Sequence, residues 1–454
     1  MSTTLTRKIY SLFYMVPKEP LICLLMLICA FVLSGVFPYL SWGIGMSIVI
    51  WCLGDALKHY CDKRDCYRLL GIALFSMLIP LISLAIWGYA DLFSERSDAL
   101  DYYTKSSAIA DSWRSGVFPH IESKGSSPYL GTLHTGYHRV LASAFMMFGV
   151  SPIVGIVVNV LSLPIIILCV YLITIILLTE NDATKTQRHS LPLIAAIVVA
   201  CHPAYAYWTR FILKDISLCV VYLVCLTTLL YCIKTKKMMP IVATGFVGYF
   251  LFSYRIYALF SLLAGVFLYM ICHLKKQTFV IASICLCCVA ALFMYSLRVD
   301  KLVSQAIDSA AAVIPNVAPT AMTGFVWIGQ SVPRYFLAPY GWIKAAVTVP
   351  TYGQYPGMWY LYLAYPFCIA GVYQAMKKNC RLWILLIAPI LLNLLIIAIA
   401  FQGDANRQRL YLESVILIMA VLGFQEKTKW RFAVVIWSLI FVFAVSQTVM
   451  FYYV

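Results

Sequence analysis

Carboxylates are concentrated in one stretch that directly follows an apolar segment. Residues 89–113, YADLFSERSDALDYYTKSSAIADSW, contain five of the 18 acidic residues of the chain: Asp91, Glu95, Asp98, Asp101 and Asp111. The first three have the spacing i, i+4, i+7, which places them on one face of a helix. They form either the solvated face of an exposed helix or a set of catalytic or metal-binding carboxylates. Like charges four residues apart repel slightly, so solubility alone does not favour this spacing.

Basic residues recur in three other segments, at the outer ends of apolar runs. Arg210 and Lys214 share a helix face in HPAYAYWTRFILKDISL, Arg255 lies in FSYRIYALF, and Arg407 and Arg409 lie in FQGDANRQRLYLES. Arginine recognises phosphate through two parallel N–H donors. The three segments together therefore predict a shared site for the phosphate or diphosphate of a lipid. For any one of these side chains, contact with lipid headgroups is the alternative.

Two histidines and an arginine precede an apolar stretch in YLGTLHTGYHRVLASAFMMF. His134 and His138 have the i, i+4 spacing of some zinc sites, but a third ligand is missing from the pattern. We therefore predict no metal site here and assign His138 and Arg139 to substrate binding. His59, Cys61 and Cys66 also match no common metal-ligand spacing.

The second candidate binding segment is aromatic. Residues 325–367 contain 13 aromatic residues, about twice the 15% of the whole chain, and several prolines that exclude one long helix. Some of these rings belong to an aromatic belt at the membrane surface. A loop with this composition also provides ring faces for sugars, and Tyr335 and Trp342 are the residues that we predict to bind substrate there.

The elements that position these residues are apolar helices. The chain has 454 residues, of which 63% are hydrophobic and 11% charged, and its apolar runs of about 15–28 residues match the length that crosses a bilayer. This pattern predicts an all-α, polytopic membrane protein and excludes a β-barrel, whose segments alternate over about 10 residues. The thirteen predicted spans lie near residues 21–37, 39–54, 69–90, 152–179, 191–208, 216–233, 239–253, 256–272, 278–297, 357–375, 382–401, 410–424 and 432–451.

Charge and cysteine placement agree with that topology. With the N-terminus inside, 20 of the 34 Lys and Arg residues fall in inside segments, as the positive-inside rule expects, so the net charge of +16 does not indicate nucleic acid. Most of the 16 cysteines lie within predicted spans, which argues against a disulfide framework. Residues 1–454 then form one membrane domain with two long outside loops, at 91–151, which includes a juxtamembrane helix, and at 298–356.

The motifs resemble those of a known group of membrane enzymes. SDALDYYTKSSAIADSWRSG in the first long loop, followed by WTRFILKDISL, SYRIYAL and NRQRLYLES, is similar to the pattern of bacterial GT-C superfamily glycosyltransferases and of O-antigen or capsule repeat-unit polymerases. The resemblance implies a GT-C-like fold and a general base at Asp98 or Asp101. In many members the acidic pair follows the first span, whereas here it follows the third.

The resemblance also implies a substrate and a location. The donor would be a sugar or oligosaccharide on undecaprenyl phosphate or diphosphate, the acceptor an envelope glycan, and the site would face the periplasm from the bacterial inner membrane. Arg210, Lys214, Arg255, Arg407 and Arg409 would bind the leaving phosphate. A divalent cation, Mg²⁺ or Mn²⁺, is the candidate cofactor. A repeat-unit polymerase and a flippase or transporter of lipid-linked saccharides are the alternatives.

Overall fold

The computed structural model describes most of the helical core of the chain. The described residues are 38–87, 98–117, 135–180, 185–273, 335–336, 355–377, 381–401, 406–424 and 430–453. Every regular element in these ranges is helical, which confirms the all-α prediction. The predictions that concern Asp91, Glu95, His134 and Trp342 lie outside the described residues, as do the first and ninth predicted spans.

Fourteen α-helices and one 3₁₀ turn, Arg381–Trp383, make up the described part of the chain. The helices are α1 Pro38–Tyr60, α2 Lys63–Trp87, α3 Asp98–Arg114, α4 Gly136–Phe148, α5 Pro152–Glu180, α6 Lys185–Ala200, α7 Pro203–Trp208, α8 Lys214–Thr235, α9 Met238–Tyr254, α10 Ile256–His273, α11 Tyr355–Lys377, α12 Ile384–Phe401, α13 Asn406–Phe424 and α14 Trp430–Tyr453.

Three of these helices are long and apolar enough to cross a membrane. They are α2, α5 and α8, over Lys63–Ile86, Pro152–Thr179 and Lys214–Thr235. Other helices coincide with predicted spans, but the described residues do not confirm the count of thirteen. The three differ in burial, because 28% of the apolar window of α2 is buried, compared with 78% for α5 and 72% for α8. The helices α5 and α8 are therefore central, and α2 lies at the periphery.

The helices have two chemically different ends. We call the end at which α9 finishes and α8 begins the outer end, because the sequence places it outside. The inner end is the one at which α1 finishes and α2 begins. Helices that are distant in the sequence contact each other at each end. At the inner end His189 in α6 contacts Asp65 in α2, and at the outer end His202, just before α7, contacts Glu413 in α13.

The predicted span 191–208 is wrong as one continuous helix. The structure has α6 and α7 instead, separated by Cys201 and His202. His202 has φ −70° and ψ 113°, and Pro203 opens α7. The ring of a proline disfavours helical geometry at the preceding residue, and proline is well tolerated at the first position of a helix. The break therefore follows from Pro203, and it places His202 inside the bundle.

Candidate functional site

The first part of the site is a buried ion pair between Asp215 and Arg255. Asp215 lies in the first turn of α8, and Arg255 is the single residue that separates α9 from α10. Nη2 of Arg255 donates to Oδ1 of Asp215 at 2.8 Å, and its Nη1 donates to the Tyr257 hydroxyl at 2.6 Å. The two charged side chains are 4% and 1% exposed. A pair this deep inside the protein excludes headgroup contact as the main role of Arg255.

The second part is a buried triad of His202, Arg409 and Glu413. Nε of Arg409 donates to Oε1 of Glu413 at 3.0 Å, and Nε2 of His202 lies 2.8 Å from Oε2 of the same carboxylate. Arg409 also donates to the backbone carbonyl of Tyr335 and contacts Sδ of Met358. All three side chains of the triad are at most 3% exposed. Arg409 is therefore held inside the bundle and does not extend to the membrane surface.

His202 has one ring nitrogen that remains available. Its Nε2 is paired with Glu413, whereas Nδ1 is buried and has no hydrogen-bond partner among the described residues. The imidazole stacks on the ring of Tyr360 with centroids 5.2 Å apart. A buried polar atom without a partner typically costs about 1–3 kcal/mol, so this nitrogen would gain from a water molecule or a ligand beside it.

The ion pair and the triad lie against the same two helices, α8 and α13. Cys219, one turn after Asp215 on α8, is within electrostatic range of both Asp215 and Glu413. The rings of Tyr222 in α8 and Tyr411 in α13 have centroids 4.8 Å apart. We call the five charged or titratable residues of this region the polar layer: His202, Asp215, Arg255, Arg409 and Glu413.

A chain of hydrogen bonds extends the polar layer toward α12. The Tyr335 hydroxyl donates to Oδ1 of Asn393 at 2.6 Å, and Nδ2 of Asn393 donates to the Tyr411 hydroxyl at 2.7 Å. All three side chains are fully buried. Tyr335, which the sequence assigned to sugar binding, is therefore packed inside the protein beside Arg409 in this structure.

The two helices of the first long loop pack next to the polar layer. Tyr102 in α3 contacts Tyr137 and His138 in α4, with ring centroids 5.1 and 4.8 Å apart. Tyr137 in turn lies 6.4 Å from the ring of Tyr254, which immediately precedes Arg255. This row of rings connects α3 to the Asp215–Arg255 pair, and His138 lies beside its first ring, that of Tyr102.

The predicted catalytic acids lie at the beginning of α3, with Asp98 one turn before Tyr102 and Asp101 directly before it. Asp98 is exposed, and Asp101 forms an ion pair with Lys105 at 3.2 Å. The carboxylates that pair with Arg255 and Arg409 are instead Asp215 and Glu413. The structure thus links α3 to the outer end through the rings of Tyr102, Tyr137 and Tyr254.

The remaining predicted residues are distributed around this region. Lys214 is buried at the first position of α8, and Arg210 is half-buried in the turn before it. Arg139 is half-buried on α4. Arg407 lies in the first turn of α13, and its side chain is outside the described residues. The structure therefore joins Arg409 to Tyr335 and places Lys214 next to Asp215, the partner of Arg255.

Sequence reasoning missed His202, Glu413 and Asn393. One signal was present for Glu413, because it is the single acidic residue of an apolar helix and follows Arg409 by four positions. The pairing of His202 with Glu413 joins residues 211 positions apart, which no local pattern reveals.

Metal-binding geometry occurs at the other end of the molecule. Asp62, Asp65 and His189 present ligand atoms that all lie within 4.8 Å of one another. Asp65 already pairs with His189 at 3.1 Å and with Arg68 at 3.2 Å, and these contacts account for the cluster without a metal ion.

In comparisons with known proteins, no family model, curated protein or solved structure matched the chain.

Proposed function

We propose that this chain is a membrane glycosyltransferase that moves a sugar or oligosaccharide from a polyprenyl phosphate or diphosphate to an envelope glycan. One observation carries the proposal: two buried arginines, Arg255 and Arg409, lie within one polar layer at the end of the bundle where the acidic helix α3 packs. Ionisable residues inside an apolar helical domain are costly, and they commonly mark a substrate or ion path.

The chemistry of this transfer needs two groups. A base takes the proton of the attacking hydroxyl, and positive charge stabilises the phosphate oxygen that leaves. Arg255 and Arg409 are each neutralised by a carboxylate, so a lipid phosphate would compete with Asp215 or Glu413 for the guanidinium. Lys214 and Arg210, at the beginning of α8, add positive charge on the same side.

The proposal includes a base, a cofactor and a location. Asp98 or Asp101 is the base, and the other carboxylate supports it or binds Mg²⁺ or Mn²⁺. The donor is linked to undecaprenyl, the acceptor is O-antigen or capsule glycan, and the reaction takes place on the outer face of the bacterial cytoplasmic membrane. A repeat-unit polymerase uses the same groups and differs only in adding many units to one acceptor.

A transporter or flippase of lipid-linked saccharides is the second candidate, and two observations favour it. The helix break at His202 and the buried charges beside it resemble the discontinuous helices that bind substrate in many transporters. His202 has a carboxylate on Nε2 and an Nδ1 without a partner among the described residues, so this nitrogen could contact a substrate at the break. In this alternative the arginines bind the phosphate during passage, without chemistry.

Reconstitution of the purified full chain distinguishes these functions. Proteoliposomes receive undecaprenyl-phosphate and undecaprenyl-diphosphate sugars with a tritiated sugar group, together with an O-antigen or capsule acceptor and Mg²⁺. A transferase produces labelled glycan, with one unit added per acceptor for a simple transferase and a ladder for a polymerase. Movement of the labelled lipid between leaflets without labelled glycan contradicts the transferase and supports the transporter.

Variants of α3 test the role of the acids. Asp98→Asn and Asp101→Asn are compared with Asp111→Asn, a matched control because Asp111 is an exposed acid of the same helix, paired with Arg114. Loss of general base catalysis lowers turnover about 10²–10⁴-fold. We expect that loss in one of the first two variants and none in the control. Wild-type turnover in both, and in their double variant, would remove α3 from the mechanism.

A further inference from the structure

Two cysteines at the inner end of the bundle lie close enough to react with each other. Cys61 is one of the two residues that separate α1 from α2, and Cys66 lies in the first turn of α2. Their sulfur atoms are 3.2 Å apart, and both residues are partly exposed. A disulfide bond measures about 2.05 Å, so closing it needs a sulfur movement of about 1.2 Å.

The backbone on either side of these cysteines is held in place. The Cys61 amide donates to the Leu57 carbonyl at 2.8 Å, and the Cys66 amide donates to the Asp62 carbonyl at 2.9 Å. The carboxylate of Asp62 caps α2 by accepting the Asp65 amide at 2.8 Å. The short distance between the sulfurs is therefore a property of the folded helix–turn–helix.

We propose that Cys61 and Cys66 form a redox-active dithiol, a modification site that small disulfides such as glutathione disulfide oxidise. A thiolate attacks one sulfur of the glutathione disulfide and forms a mixed disulfide, releasing one glutathione. The second cysteine loses its proton and attacks the mixed disulfide, which forms the Cys61–Cys66 bond and releases the second glutathione. The protein loses two protons and two electrons, and the glutathione disulfide gains them. This site is independent of the proposed transferase activity.

The order of attack follows from the environment of Cys61. Burial raises the pKa of the Cys61 thiol to about 12. Cys61 therefore carries its proton at neutral pH, and in the proposed reaction Cys66 attacks first. Closure by Cys61 depends on its small thiolate fraction. As long as the pH is below that pKa, the rate of this second step therefore rises about tenfold for each unit by which the pH increases. In a reducing cytoplasm the pair would stay as thiols, and disulfides there are typically transient and redox-sensing.

Peptide mapping of the full chain tests the proposal. The protein in detergent micelles is incubated with glutathione disulfide, quenched with N-ethylmaleimide and digested with trypsin. Lys63 and Arg64 lie between the cysteines, so cleavage yields HYCDK and DCYR, which remain joined only if the disulfide has formed. We expect the joined peptides, their separation by dithiothreitol, and faster closure at pH 8 than at pH 7 by about tenfold.

Variants separate the two steps. Cys61→Ser should accumulate glutathione on Cys66 without a joined peptide, and Cys66→Ser should react with glutathione more slowly than Cys61→Ser. Cys169→Ser is the control, because Cys169 is buried in α5. This variant should be oxidised at the wild-type rate. The proposal is overturned if wild-type Cys66 carries glutathione but never closes onto Cys61, or if closure shows no dependence on pH. Melting curves of the variants check that each is folded.

Discussion

Ion pairs occur at both ends of this helical bundle, and the two ends hold them in different ways. At the inner end, Nζ of Lys237 lies 2.7 Å from the carboxylate of Asp55, and the two side chains are 39% and 37% exposed. At the outer end, Asp215–Arg255 and Arg409–Glu413 have similar distances, but their side chains are almost completely buried. The geometry of the pairs is therefore alike, and their solvation is not.

This difference in solvation is the reason for placing the proposed function at the outer end. A pair that water reaches contributes about 0–1 kcal/mol and is easily maintained as a surface feature. Two buried charges lose their hydration, and a pair of well-packed apolar residues is commonly as stable or more stable. Helix packing alone thus gives no reason to retain Arg409, Glu413 and His202 inside apolar helices. Their presence inside the bundle is explained if, as proposed, they bind or move something charged.

The largest expected effect is the loss of one partner of a buried pair. Glu413→Gln removes the charge that neutralises Arg409 and replaces one of the two acceptor oxygens, which serve Arg409 and His202, with an amide donor, while keeping the size of the side chain. Breaking a buried pair in this way typically costs about 3–5 kcal/mol. Thermal melting in detergent micelles, at fixed protein and lipid concentration, measures this as a large fall in Tm. A matched Asp55→Asn variant at the inner end should change stability by about 1 kcal/mol or less.

A double replacement separates stability from function at the same position. Arg409→Met with Glu413→Leu removes both charges and keeps similar volumes, so we expect stability to recover toward the wild-type value. Transfer or transport of the lipid-linked sugar should nevertheless be lost. A double variant that stays as unstable as Glu413→Gln would mean that the pair is structural, which would remove the contrast between the two ends.

An intermediate effect is expected from the neutral hydrogen bonds that border the polar layer. Asn393 accepts from the Tyr335 hydroxyl and donates to the Tyr411 hydroxyl. Asn393→Leu leaves both hydroxyls buried without this partner, a change that typically costs about 1–3 kcal/mol. The same melting assay measures it, and Asn393→Asp, measured at a pH at which the buried carboxyl is protonated and keeps an acceptor for Tyr335 and a donor for Tyr411, should lose less. Equal losses in the two variants would show that the Tyr335 bond contributes little.

The sequence predicts the helices and the basic half of the site better than the acidic half. Long apolar runs define α5 and α8 directly, because a membrane-length helix is encoded locally. Arg255 and Arg409 stand out because they are charges at the ends of such runs. Their partners are less visible: Asp215 contacts Arg255 across 40 positions, and His202 contacts Glu413 across 211. Such pairings depend on which helices pack together, which local spacing does not encode.

The break before α7 shows a second limit of the sequence. Pro203 was visible, yet the apolar residues on both sides of it continue the hydropathy of one span over 191–208. Hydropathy averages over a window and does not register one residue with extended backbone. The consequence is chemical as well as structural, because the break exposes His202 to Glu413 and so completes the triad.

The smallest expected effect concerns the Asp55–Lys237 pair at the inner end. Lys237→Met removes one charge from a pair that water already solvates, so the free energy of unfolding should fall by about 1 kcal/mol or less. The loss should shrink further as salt rises from 0.05 to about 1 M, because the screening length falls to about 3 Å. Arg255→Met at the outer end should instead lose stability to the same extent at every salt concentration, since salt hardly screens a buried pair. Parallel salt dependence in the two variants would contradict the assignment of the outer end as the functional one, because it would show that water reaches Arg255 as freely as it reaches Lys237.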